Sequence, residues 1–197
     1  MTTNKRFLFV DLEATGLSEN AGLLEIYAVL TNHRFKPRNT LHLVCGQPIR
    51  HYSQDIVWDE DALEMHSNNG LISEMKEIGC LNANYYQVQK ALYFWLDSLP
   101  GKAADRYLAG SSVHGDRQFL SKMGLPIDSY VSHRHFDVSV FKAMDLISGT
   151  KLLEEKKVTD HRARTDVLID IAVAQQVQKL WKSLTLTPDP DDGKVQS

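Results

Sequence analysis

Apolar residues fall along this chain in runs whose spacing points to particular elements. Residues 6–11, Arg-Phe-Leu-Phe-Val-Asp, form a short continuous apolar run that ends in a carboxylate, the pattern of a central strand buried on both faces. Leu23 to Leu30 and Thr40 to Val44 read as two further strands, with turn chemistry at Ser18-Glu19-Asn20 and at Pro37-Arg38-Asn39. The period then changes: Tyr85, Val88, Leu92, Trp95 and Leu99 recur at steps of three and four, predicting a helix stopped by Pro100-Gly101. Arg106 to Ala109 predicts a short strand, Asp116 to Met123 a helix, and His135 to Val140 a strand leading into a helix through Leu146. Ala163, Val167, Ile171, Ala174, Val177 and Trp181 mark one face of a last helix, and the polar stretch from Thr185 to Ser197 predicts a disordered tail. Three antiparallel-looking strands followed by strand–helix alternation predict an α/β fold, a mixed sheet covered by helices. No repeat or linker divides the core, so one domain over residues 1–184 is expected.

Composition narrows the class. The chain has 197 residues, 43% hydrophobic and 24% charged, close to globular averages, which argues against disorder and collagen-like repeats. No run approaches the roughly 18 apolar residues of a membrane span, and the brief apolar run before Asp11 does not resemble a secretory leader. Cys45 and Cys80 are too few for a disulfide framework and lack metal-ligand partners at short spacing, so a cytoplasmic location is expected. With 22 Lys and Arg against 25 Asp and Glu, the net charge is −3. That balance speaks against sequence-blind adhesion to duplex DNA, so a nucleic-acid partner would be held locally.

The acids at element ends carry the chemistry. Asp11 and Glu13 lie two apart, so in an extended chain both side chains point to the same side, at the place where the apolar run gives out. Burying two like charges side by side is costly unless a cation joins them. Asp116 follows a strand-like segment and opens a helix at the same kind of edge. His161 and Asp166 stand near the start of the last helix, where a separation of five turns them about 140° apart. They converge only if His161 lies in the preceding loop, for which Val158-Thr159-Asp160 supplies a polar approach. Singly, each has an ordinary structural reading: a solvated turn, a helix N-terminal acid, an exposed histidine. As a set, four carboxylates and a histidine suit two hard divalent cations with oxygen ligands. Two such ions about 3.5 to 4 Å apart stabilise in-line displacement at phosphorus while a histidine takes the water's proton. The implied chemistry is phosphodiester hydrolysis.

These residues resemble a known family. The segments Phe9-Val10-Asp11-Leu12-Glu13-Ala14-Thr15-Gly16-Leu17, Gly110-Ser111-Ser112-Val113-His114-Gly115-Asp116, and His161-Arg162-Ala163-Arg164-Thr165-Asp166 are similar to the three motifs of DEDDh 3′-to-5′ exonucleases. Within that class the chain resembles the oligoribonuclease family, through Met65-His66 with Gly70-Leu71, Gly-x-Ser before Asp116, and Arg134-His135-Phe136-Asp137-Val138-Ser139 followed by Lys142. The resemblance spans residues 7 to 175 and implies a ribonuclease-H-like exonuclease fold with a five-stranded mixed sheet. It also implies metal-dependent removal of nucleotides from the 3′ end of very short single-stranded RNAs, dinucleotides above all, by a homodimer. By motif position, Asp11, Glu13, Asp116 and Asp166 would hold two Mg²⁺ or Mn²⁺ ions and His161 would be the general base. Leu17 would wedge between terminal bases, His66 would contact the 3′-terminal nucleotide, and Ser112, Arg134 and Ser139 would cap the 5′ phosphate. A guanidinium with two hydroxyls makes a compact anion site without a long basic groove.

The chain departs from the family pattern at two places. The family's tryptophan five residues before the position of His66 is replaced by Asp61, while Trp58 lies eight residues before it. A tyrosine contributed across the dimer is replaced by His133, whose imidazole can stack and donate a hydrogen bond. Three other readings compete. A broader exonuclease trimming longer strands would favour a basic track such as His33 to Arg38, which also reads as a solvated hairpin turn. A haloacid-dehalogenase-like phosphatase would use Asp-x-Asp and leaves His161 unexplained. A degenerate binding module should have lost ligand positions that are all filled here. Residues 185–197 carry three Asp and one Lys, so the rest of the chain is near −1, and two divalent ions would bring it to about +3 at one site. Such a charge suits a short substrate.

Overall fold

The computed structural model describes residues 4–50, 55–79, 85–125, 127–153 and 159–186. Strand β1 (Arg6–Ala14) pairs antiparallel with β2 (Leu23–Thr31), and β2 pairs antiparallel with β3 (Pro37–Ile49). On its other side β1 pairs parallel with β4 (Arg106–Gly110), which pairs parallel with β5 (His135–Asp137). The order β3-β2-β1-β4-β5 is the expected mixed five-stranded sheet. Its pairing changes sense at β1, and the carboxyl ends of β1, β4 and β5 share one edge. In open α/β sheets that edge is where ligand crevices form.

Alternation along β1 splits the core between the two faces of the sheet. Leu8 and Val10 join Ile26, Ala28 and residues of α3 (Tyr85–Ser98) and α4 (His114–Lys122) on one face. Phe9 joins Tyr27, Val29 and the stripe Ala163, Val167, Ile171 and Ala174 of α6 (Ala163–Leu186) on the other. Each fully buried aliphatic or aromatic side chain contributes about 1.5–3 kcal/mol. The stripe ends at Val177; Trp181, expected on it, is 70% exposed.

Other boundaries differ from expectation for identifiable reasons. Pro37-Arg38-Asn39 is the start of β3 and not a turn; the turn is at 32–36, where Asn32 Oδ1 accepts from the amides of Arg34 and Lys36. The strand expected to reach Val140 stops at Asp137, whose carboxylate takes both the amide and the hydroxyl of Ser139 and turns the chain into α5 (Ser139–Ser148). The sequence reading passed over α1 (Glu60–Asn68) and α2 (Leu71–Ile78). Helix α1 buries only His66, so it has no apolar stripe to read, and it is held by Asp59 capping the amides of Asp61 and Ala62. Helix α2 buries only Leu71 and Met75, against Leu24. Helix α6 runs to Leu186, and the rest of the expected tail, like Cys80, lies outside the described residues. Among the described residues no helix is long and apolar enough to cross a membrane.

Candidate active site

On the α6 face of β1, the side chains that follow Phe9 are Asp11 and Glu13. Helix α6 presents Asp166 from its first turn, and one carboxylate oxygen each from Asp11, Glu13 and Asp166 lie within 4.8 Å of one another. Asp116, in the first turn of α4, stands outside this tight trio but lines the same cleft of about 370 Å³ as Asp11. Of the charges near Asp11 it exerts the largest effect. The four acids singled out from the sequence thus meet at one sheet edge as three plus one.

Their electrostatics suit a divalent cation. Burial, followed by the neighbouring carboxylates, pushes Asp11 up to about 9. Burial and then Glu25 push Glu13 up to about 8, and burial pushes Asp116 up to about 7. Burial also raises Asp166, against the hydroxyl of Thr159. Asp170, one turn further along α6, makes the contrast: buried too, it has its own lysine, with Lys142 Nζ at 2.7 Å. Among the described residues no lysine or arginine pairs with Asp11, Glu13 or Asp166. A cluster of hard oxygen donors, crowded and without a protein cation, is suited to divalent metal ions such as Mg²⁺ or Mn²⁺.

His161 lies in the loop before α6, as convergence with Asp166 requires, in the left-handed region at φ 51°. Its imidazole is exposed, and its backbone is tied on both sides. The amide of His161 donates to Thr159 Oγ1 at 2.9 Å, while Thr159 donates its hydroxyl to Asp166. From the end of α1, Asn69 Nδ2 donates to the His161 carbonyl at 2.6 Å. Thr159 therefore bridges the histidine's backbone to the carboxylate.

Of the other singled-out residues, Leu17 and Ser112 line the cleft. Leu17 is fully exposed at its lip. Gly16 precedes it at φ 154°, where a Cβ would come within 2.8 Å of Asp59 Cβ. Trp58 is half-buried beside Leu24, Leu71 and Met75, on a segment that Thr15 secures through its hydroxyl to the Val57 carbonyl and its own carbonyl to the Asp59 amide. His66 is 1% exposed, with Nε2 on the Ala14 carbonyl at 3.1 Å and 3.8 Å from Glu13, and Nδ1 without a partner among the described residues. Asp137 draws Ser112 and Ser139 together, accepting the Ser112 amide at 3.1 Å and the Ser139 hydroxyl at 2.6 Å. Arg134 and His133 are exposed on the loop before β5, and the Arg134 guanidinium bonds to neither serine.

The residues behind the site are not singled out by the sequence pattern. Glu25 is fully buried and accepts from Arg162, His42 and the amide of Ala163. Asp170 gathers Ser111 and Lys142. A signal for Glu25 was present: one acid inside the apolar run Leu-Leu-Glu-Ile-Tyr-Ala-Val-Leu.

No family model matches the chain. It is 26% identical over 178 residues to a probable oligoribonuclease of Schizosaccharomyces pombe, covering 89% of this chain and 68% of that one. It is 30% identical over 176 residues to an oligoribonuclease of Mannheimia succiniciproducens, covering 86% of this chain and 89% of that one. Among solved structures, exonuclease I of E. coli in complex with an oligonucleotide superposes with a TM-score of 0.63 at 15% identity, over 92% of this chain. This chain spans 42% of that exonuclease chain, and the match gives the fold, ribonuclease-H-like.

Proposed function

The chain belongs to the oligoribonuclease family, and from that membership we propose that it is a metal-dependent 3′-to-5′ exoribonuclease that hydrolyses RNAs of two to about five nucleotides to nucleoside monophosphates. The observation that carries this reading is the approach of Asp11, Glu13 and Asp166 to within 4.8 Å, without a cation of their own, beside Asp116 and the loop of His161. Asp11, Glu13, Asp116 and Asp166 would hold two ions, Mg²⁺ or Mn²⁺, which when bound supply charge stabilisation for displacement at phosphorus. His161 acts as general base on the attacking water; its exposed ring on a doubly tied loop suits that role. Leu17 presents an apolar side chain to the terminal bases from the cleft lip, and His66, by its motif position, and Trp58 are assigned to the 3′-terminal nucleotide. Ser112 and Ser139, joined through Asp137, receive the 5′ phosphate, with the exposed Arg134 assigned to it by motif position.

The basic stretch 33–38 supports no extended track, because it is divided between the turn at 32–36 and the first residues of β3. Thr31, just before that turn, pairs with Phe7, at the end of β1 opposite Asp11 and Glu13. We further propose a cytoplasmic homodimer of a single catalytic unit over residues 1–184, with His133 reaching the partner's site. Support comes from α5, which buries no residue and exposes Val140, Met144, Leu146 and Ile147. Asp11→Ala tests the site: hydrolysis of an RNA dinucleotide is expected to fall at least about a thousandfold with the fold retained. Unchanged turnover would reject the assignment.

A further inference from the structure

We propose that Glu25 and Arg162 are positioning residues, an ion-paired clamp between β2 and the start of α6 that sets where His161 and Asp166 stand. The inference rests on the reading of those two as base and metal ligand. Arg162 lies next to His161 in sequence and turns inward, with its side chain 18% exposed. Its Nε donates to Glu25 Oε2 at 2.9 Å and its Nη2 to Glu25 Oε1 at 3.1 Å, a two-toothed contact with a carboxylate that is fully buried. The same Nη2 reaches Glu74 of α2 at 2.6 Å. Glu25 also accepts the amide of Ala163, the first residue of α6, at 3.3 Å, and His42 lies 2.7 Å from its other oxygen.

Backbone links join this clamp to the site. The Arg162 carbonyl accepts the amide of Asp166 at 3.1 Å, so the turn carrying the metal ligand begins on the clamped residue. His161 precedes it directly, and on its far side Asn69 holds the His161 carbonyl. Glu25 itself stands opposite Glu13 in the β1–β2 ladder, which refers the position of α6 to the strand carrying Asp11 and Glu13. The Arg162 charge also acts on Glu13, opposing the effect of burial. A carboxylate buried inside a strand is costly unless it is paired, and here the pairing joins the two elements that must be in register for the trio to form. Groups behind a metal's ligands commonly govern activity in this way, without touching substrate.

Glu25→Gln, Arg162→Met and Arg162→Lys in the full chain test the clamp. For Glu25→Gln and Arg162→Met, kcat on an RNA dinucleotide is expected to fall about 10- to 100-fold with KM within about twofold. In the metal-free protein, amide hydrogen exchange of residues 161–167 should quicken while exchange in β1 and β4 is unaltered, and Arg162→Lys should recover part of both losses. If Glu25→Gln does not fold, Arg162→Met decides, because that side chain is outside the hydrophobic core. Unaltered exchange across 161–167 with kcat within twofold of the parent would overturn the clamp. Asp166→Asn, run in parallel, separates the two claims: full turnover there would refute the site reading, while loss there with undisturbed clamp variants refutes the clamp alone.

Discussion

Glu13 on β1 stands directly opposite Glu25 on β2, so two carboxylates share one face of the ladder, an arrangement that is destabilising unless each finds a counter-charge. Glu25 has one in Arg162, at 2.9 Å. Glu13 has no ion pair with lysine or arginine among the described residues; the nearest basic group is His66 at 3.8 Å, a histidine that burial holds below its usual range. The acid inside the strand has an arginine partner, while the one at the strand end has no lysine or arginine partner among the described residues, as suits the proposed divalent ion.

A pH and metal dependence of stability follows. Burial and neighbouring carboxylates raise Asp11, Glu13 and Asp116 to about 9, 8 and 7 from ordinary values of 3.8, 4.5 and 3.8. Between those limits the folded metal-free chain binds more protons than the unfolded chain, so stability is highest below about 4 on this count and falls as pH rises toward 9. Thermal melting in EDTA should therefore show a midpoint that declines from pH 5 to pH 9. Saturating Mg²⁺ should raise the midpoint most at the alkaline end, since the ion binds the ionised cluster. A Mg²⁺ effect that is flat across this range would count against the cluster as the binding site.

His161→Ala is expected to lower kcat by about 10²- to 10⁴-fold, the usual contribution of a positioned general base, with little change in substrate affinity. Steady-state kinetics on a dinucleotide, together with binding to the metal-free protein, checks it. A loss confined to affinity would make the histidine a substrate contact.

For the homodimer, Leu146→Glu with Ile147→Glu places charge on the exposed face of α5. Light scattering is expected to give a dimer mass for the parent and a monomer mass for the variant. A parent that is monomeric and fully active on dinucleotides would remove the cross-subunit role of His133.

Much of this was legible in the sequence because strand β1 is a continuous apolar run and helix α6 carries an apolar stripe, and because the acids fall at the ends of those patterns. The mixed sheet, the placement of His161 ahead of α6 and the gathering of Asp11, Glu13 and Asp166 all follow from that. Helices α1 and α2 were not legible, since they bury one and two residues and are set by a cap at Asp59 and a left-handed Gly70. Nor was the separation of Asp116 from the trio, which depends on how α4 packs on the face of the sheet away from α6. The contacts of Glu25 with Arg162, and of Asp170 with Lys142, are 137 and 28 residues apart along the chain, and spacing carries no sign of them.

The most direct measurement is cleavage of a 5′-labelled RNA length series, from two to twenty nucleotides, beside the matching DNA, with Mg²⁺ and with EDTA. Release of nucleoside monophosphates from the 3′ end is expected, fastest for RNA of two to five nucleotides, slow at twenty, and abolished by EDTA. Equal turnover of the two-nucleotide and twenty-nucleotide RNAs, or turnover that persists in EDTA, would contradict the assignment.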